Sequence, residues 1–176
     1  MTGLFFAKFS RPTTRVLFSR AAVISVRDRV PSFMFRLANE RGNRIVEAQL
    51  HAVLVRNETT AEGEFVRRFH DLELARSQNA VFFLSWTAIH PITERSPLYG
   101  ATQVSLKAEE AEIVISMVGL DETFSQTVHA RYSYAADKIV WNARFKDILH
   151  PRPDGGWMID YTHFHDTVHV ASPSEE

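Results

Sequence analysis

Apolar and polar residues alternate along most of this chain in short runs, and the period is two. Val46, Ala48, Leu50, Ala52 and Leu54 fall on one side of an extended segment, and Ile45, Glu47, Gln49, His51, Val53 and Val55 on the other. That pattern describes a strand over residues 45–56 with a core side and a wetter side. Residues 23–27 and 32–39 read as strands before it, the second setting Phe33, Phe35 and Leu37 against Met34, Arg36 and Ala38. Residues 65–74, 81–89, 112–118, 123–134, 139–145 and 157–161 continue the series. The run 82–89 sets Phe82, Leu84, Trp86 and Ala88 opposite Phe83, Ser85, Thr87 and Ile89, a strand expected to be buried on both faces. It runs into a loop in which Pro91 and Pro97 hold His90 and Ser96 extended. Polar turns at 40–43 and 57–63 reverse the chain. Only residues 105–111 look helical, with Ser105 as the expected cap. Many short strands at regular spacing make this an all-β chain, a sandwich or a barrel.

At 176 residues the chain suits one domain with a real core. It contains no cysteine, which excludes disulfides, thiolate metal sites and a cysteine nucleophile and fits a reducing compartment. No run reaches the ~20 apolar residues a membrane helix needs. Asn57-Glu58-Thr59 fits a glycosylation acceptor but reads as a polar turn. A net charge of −1 hides an asymmetry: residues 1–44 carry nine Lys or Arg against two acids, and the remainder eleven against nineteen. The basic end suits an anionic partner, either lipid headgroups or nucleic acid.

Signatures of enzymes are missing. There is no Gly-x-Ser-x-Gly elbow, no phosphate-cradling Gly-x-x-x-x-Gly-Lys and no Gly-x-Gly-x-x-Gly. His163, His165 and His169 form His-x-His-x-x-x-His, yet no second cluster of acids or histidines completes a metal site. Taken alone, Glu47 is a carboxylate on a polar strand face, and His90 before its proline is a hydrogen-bonded corner.

The run Leu84-Ser-Trp-Thr-x-x-His-Pro-Ile-x-Glu-x-Ser-Pro-Leu-Tyr99 resembles the signature of the cytoplasmic domain of inward-rectifier potassium channels, most closely their prokaryotic branch. Gly3-Leu-x-x-Ala-Lys-Phe-x-Arg-Pro12, Gly119 to Tyr134, Asp137-x-Ile-x-Trp141 and Asp160-Tyr-x-x-Phe-His165 extend the resemblance over nearly the whole chain. It implies a membrane-proximal linker over 1–15, an immunoglobulin-like β-sandwich over 16–170 and a flexible tail over 171–176. The implied assembly is a homotetramer joined to a transmembrane pore domain, at the cytoplasmic face of the bacterial inner membrane, with potassium as the permeating ion and no cofactor. Lys8, Arg11 and Arg15 would meet anionic lipid headgroups, Glu47 would line the pore, and Gly119, Leu120 and Ser125 would form a constriction loop.

Some positions depart from the family's pattern. Thr13 and Thr14 stand where strongly lipid-regulated relatives carry more basic residues. Ala75, Asn79 and Val118 replace the additional pore acids of strong rectifiers, and Asn142 stands where glycine is usual. Strong block by polyamines or magnesium is therefore not expected. Two rival readings remain from the residues themselves. One is a β-sandwich module that binds nucleic acid through its basic N-terminal third, which entails a steep salt slope; the other is a metal-dependent enzyme using the C-terminal histidines.

Overall fold

Two long strands organise the molecule, whose computed structural model describes residues 16–171. In the first sheet, β3 (Val30–Asn39) carries β1 (Val16–Phe18) and β2 (Ala22–Arg27) along one edge and β7 (Ser85–Pro91) along the other. Strand β10 (Ile139–Trp141) adds to β2 in parallel. In the second sheet, β4 (Ile45–Thr59) pairs with β5 (Phe65–Leu72), β6 (Gln78–Phe82) and β8 (Glu112–Asp121), and β8 pairs with β9 (Gln126–Ala135). Two ribbons complete the set: β11 (Ala143–Phe145) with β14 (Thr167–His169), and β12 (Leu149–Pro151) with β13 (Trp157–Ile159).

The inward faces of the two sheets share one core, so the expected immunoglobulin-like β-sandwich is what forms. Phe33, Phe35, Leu37, Trp86 and Ala88 from the first sheet pack with Leu50, Ala52, Leu54, Ile113, Ile115 and Tyr134 from the second. The rings of Phe33 and Phe35 lie 6.4 and 6.0 Å from that of Tyr134. The Tyr134 hydroxyl donates to the Ser19 carbonyl at 2.8 Å, stitching β9 to the turn between β1 and β2. Burial pushes this phenol well above the usual tyrosine range.

Strand β3 is buried on both faces. Its second face, Met34, Arg36 and Ala38, lies under the C-terminal segment: Met34 clusters with Val23 and Ala143, and Ala38 with Ile148 and Phe164.

Three elements differ from their expected form. Residues 81–89 are two strands in different sheets, since β6 ends at Phe82 and β7 begins at Ser85. Phe83 and Leu84 are the exposed crossing, pinned by the Asn39 N–H donating to the Leu84 carbonyl at 2.9 Å. Periodicity does not register a change of sheet while core residues continue on both sides of it, as Phe82 and Trp86 do. Residues 139–145 are likewise divided, at Asn142, whose φ of 53° is left-handed. Asparagine tolerates that conformation, and glycine adopts it freely. The helix α1 (Gln103–Ala108) is capped by Thr102; Ser105 is the reciprocal partner of this capping box, its hydroxyl accepting from the Thr102 N–H.

Candidate functional site

Glu47 sits where β4 falls out of step with β8. Between Val46 and Gln49 the strand spends three residues while β8 spends two, from Leu120 to Val118, a β-bulge. Glu47 takes a left-handed φ of 54° there. On its other edge β4 stays in register with β6 through Val46↔Val81, Ala48↔Asn79 and Gln49↔Gln78. The extra residue reverses the side-chain phase. Ile45 and Ala48 are both buried, Val46 is half-buried and Glu47 is exposed. Below the bulge the expected faces of Ile45 and Val46 are therefore exchanged, while from Ala48 to Leu54 the expected alternation holds. Beside Glu47 lies a niche of about 260 Å³ bordered by Gln49, Gln78 and Asn79. One carboxylate among amides is chemistry that attracts cations and can replace part of their water.

Gly119 and Leu120, expected in a loop, belong to β8. Leu120 lies opposite Val46 and Thr127 and faces outward, 40% exposed, with Val118 beside it on the same face at 41%. Gly119 faces the core. The connection itself is short, residues 122–125, and Ser125 takes a φ of 50°. The Asp121 carboxylate, buried, accepts from the Thr123 and Phe124 N–H groups at 2.9 and 3.3 Å and from the Asn43 side-chain amide at 3.3 Å. The Glu122 N–H donates to the Arg44 carbonyl at 3.0 Å, and the two side chains pair at 3.6 Å. This turn is tied to the start of β4 on both sides.

The structure thus gathers Glu47, Gly119, Leu120 and Ser125, with Asn79 and Val118, at one end of the second sheet. Ala75 stands apart, its N–H donating to the Ile89 carbonyl. Lys8, Arg11 and Arg15 lie outside the described residues.

Arg36 escaped the sequence pattern, whereas His90 is found as that pattern suggested. Arg36, with a total exposure of 4%, donates three bonds to the C-terminal segment: to the carbonyls of Phe164 (2.7 Å), Lys146 (2.7 Å) and His163 (2.8 Å). The rings of Phe145 and Phe164 lie 4.7 and 5.1 Å from its guanidinium. Burial lowers its pKa to about 10, so it stays cationic at neutral pH. Arg36 is thereby withdrawn from the basic surface that nucleic-acid binding would need. His90 is buried in the corner its proline suggested, with Nδ1 2.6 Å from the Glu73 carbonyl and Nε2 2.6 Å from the Ser96 hydroxyl. The Leu98 N–H donates to that same hydroxyl. Nδ1 donating and Nε2 accepting describes a neutral imidazole, and burial holds its pKa below the usual histidine value.

Two of the three C-terminal histidines are held in hydrogen bonds within the fold. His163 pairs with Asp166 at 2.6 Å, and His165 Nδ1 accepts the Arg20 N–H at 3.1 Å. Among the described residues no three of His, Asp or Glu gather as metal ligands.

Residues 16–176 match the family model described as the inward rectifier potassium channel C-terminal domain. The chain is 46% identical over 164 residues to the inward rectifier potassium channel Kirbac3.1 of Paramagnetospirillum magnetotacticum, covering 93% of this chain and 56% of that protein. It is 36% identical over 182 residues to the G protein-activated inward rectifier potassium channel 3 of Mus musculus, covering 99% of this chain and 46% of that one. The ATP-sensitive inward rectifier potassium channel 12 of Mus musculus is 36% identical over 179 residues, covering 98% and 42%. The chain spans about half the length of these relatives. It belongs to the family of inward rectifier potassium channel C-terminal domains.

Proposed function

We propose that this chain is the cytoplasmic pore and gating domain of an inward-rectifier potassium channel of the bacterial inner membrane. Four copies surround the ion pathway and turn the bulged end of the second sheet toward the axis. A transmembrane pore domain completes the channel, and Lys8, Arg11 and Arg15 hold the linker against anionic headgroups. The observation that carries the reading is Glu47: an exposed carboxylate on a bulge, next to the outward Val118 and Leu120.

Four such carboxylates around a narrow passage focus a negative potential and raise the local potassium concentration. Leu120, one step along the neighbouring strand, supplies apolar surface that closes a passage by dewetting when the ring contracts. With Asn79 and Val118 uncharged, the wall holds polyvalent blockers weakly. Coupling to the linker has a path in the described residues. Strand β1 starts at Val16, the Ser19 N–H donates to the Arg36 carbonyl at 2.8 Å, and Arg36 grips the C-terminal segment. A displacement of the linker reaches β3 and that segment through these bonds.

Native mass spectrometry and vesicle flotation test the proposal together. Tetramers and retention on anionic but not neutral vesicles are expected. Monomers at every concentration, or binding to nucleic acid with a steep salt slope in place of vesicles, would overturn it.

A further inference from the structure

A cleft of about 470 Å³ opens on the outer face of the first sheet, between β3, β7 and the C-terminal segment, and Arg27, Arg36, Arg144 and Lys146 line it. Among the described residues Asp147 is the one acid on its wall. The three arginines come from separate parts of the chain and meet through their packing. Arg27, at the end of β2, rests its Nη1 3.9 Å from Met34 Sδ, and Met34 precedes Arg36 by two residues on the same face of β3. The Phe145 ring lies 4.7 Å from the Arg36 guanidinium, and Arg144 Nη1 donates to the Phe145 carbonyl at 3.5 Å.

A buried charge is normally matched by an opposite one in contact with it. Among the described residues none of these three arginines forms an ion pair with a carboxylate. Asp166 and Asp147 act on Arg36 only through space, and burial outweighs both. Its guanidinium has five N–H donors, of which three serve the carbonyls of Phe164, Lys146 and His163, so two remain. Arg27 and Arg144 are exposed. Lys146 differs, because its Nζ lies 3.3 Å from the ring of His163, which pairs with Asp166. On β7, Ser85 and Thr87 stand opposite Ala38 and Arg36 and line the same cleft, and neither hydroxyl has a hydrogen-bond partner among the described residues. Three arginines against one carboxylate leave an excess of two positive charges, which a dianion cancels.

We infer that this cleft binds a dissolved multivalent oxyanion, a compound carrying phosphate or carboxylate groups, held between Arg27 and Arg144 with Ser85 and Thr87 donating to it. Bound there, the anion bridges β2, β3 and β7 to the C-terminal segment. Val16, where the linker enters, lies opposite Asn39, whereas Arg27 lies opposite Val30 at the other end of β3. Nine residues of strand put Arg27 roughly 30 Å from the linker, out of reach of a headgroup held there. The choice of a solute over a headgroup rests on the linker reading above; the anion site itself does not.

Equilibrium dialysis of the 176-residue chain against radiolabelled pyrophosphate and, separately, citrate at fixed ionic strength tests the site. The expected result is one ion bound per chain, with affinity lowered at least about tenfold in R27Q/R144Q, which removes two charge-assisted contacts. Both side chains are exposed, so their replacement leaves the core intact. R95Q/R131Q removes the same charge from exposed positions outside the cleft. It should bind within about twofold of the parent, since salt screens distant charges. Tighter binding of pyrophosphate identifies phosphate as the recognised group, and tighter binding of citrate identifies carboxylate. No saturable binding of either anion overturns the proposal, as does an equal loss in the two paired variants. Pyrophosphate bound by monomers but excluded from tetramers would give the cleft to a neighbouring copy and overturn the solute site. Retention on anionic vesicles should be the same for the parent and R27Q/R144Q; its loss in that variant would make the ligand a headgroup and overturn the dissolved anion.

Discussion

Replacing Arg36 by methionine keeps the apolar stem between Phe145 and Phe164 and removes the guanidinium. Three backbone carbonyls of the C-terminal segment then lose a cationic donor, those of Lys146, His163 and Phe164. Bonds of this kind are worth roughly 1.5–3 kcal/mol each. Two of the three are only partly buried and regain water, so their loss is discounted, leaving about 3–5 kcal/mol for the variant. Against the ~5–15 kcal/mol typical of a domain, the variant still folds but with little reserve. Urea unfolding gives the difference in stability. Limited thermolysin digestion gives its location, because cuts should appear within 143–169 before they appear in the sandwich. A loss below about 1 kcal/mol with an unchanged digestion pattern would refute the view of Arg36 as the clasp of the C-terminal segment.

Acid should weaken the domain in two stages. A histidine whose folded pKa is depressed contributes fully above its unfolded value near 6.5, and that contribution declines as pH falls below it, by at most about 1.4 kcal/mol per pH unit. His90 and His165 both have this sign, from burial first; H90Q should flatten the urea midpoint between about pH 6.5 and 5, and an equally steep profile would remove His90 from the account. Glu58, held low by its bonds to Arg56 and His70, adds a loss only below about pH 4.5. Tyr134→Phe should cost about 1 kcal/mol through the lost bonds to Ser19. In an alkaline absorbance titration Tyr134 should be the most resistant of the four tyrosines in the parent, and the variant should lose that step while Tyr161, also raised by burial, remains delayed. Thr102→Ala should lower stability by about 1 kcal/mol through the loss of the α1 cap, measured by thermal unfolding.

Much of the architecture was legible because a two-residue period is a direct image of a half-buried strand. Strand β4 shows both the reach and the limit of that signal. From Ala48 to Leu54 every inward residue was correctly placed, but the bulge at Glu47 reversed Ile45 and Val46, since an inserted residue leaves no mark in composition. The division at Asn142 was visible only as an asparagine where related chains carry glycine, a hint of left-handed backbone. Arg36 read as an ordinary outward position of β3; its burial depends on a segment more than a hundred residues later folding over that face. Gly119 read as part of a constriction loop through the resemblance alone; its place in β8, packed against Ile45, emerged only from the pairing of β4 with β8.

The central claim is that Glu47 faces the ion pathway, and single-channel recording tests it most directly. In a channel carrying this chain below a transmembrane potassium pore, current is compared between the parent and Glu47→Gln at about 10 mM and about 1 M potassium chloride, where the Debye length is ~30 and ~3 Å. A ring of carboxylates predicts smaller current for the variant at low salt and no difference at high salt. Equal currents at low salt would contradict the placement of Glu47 on the wall.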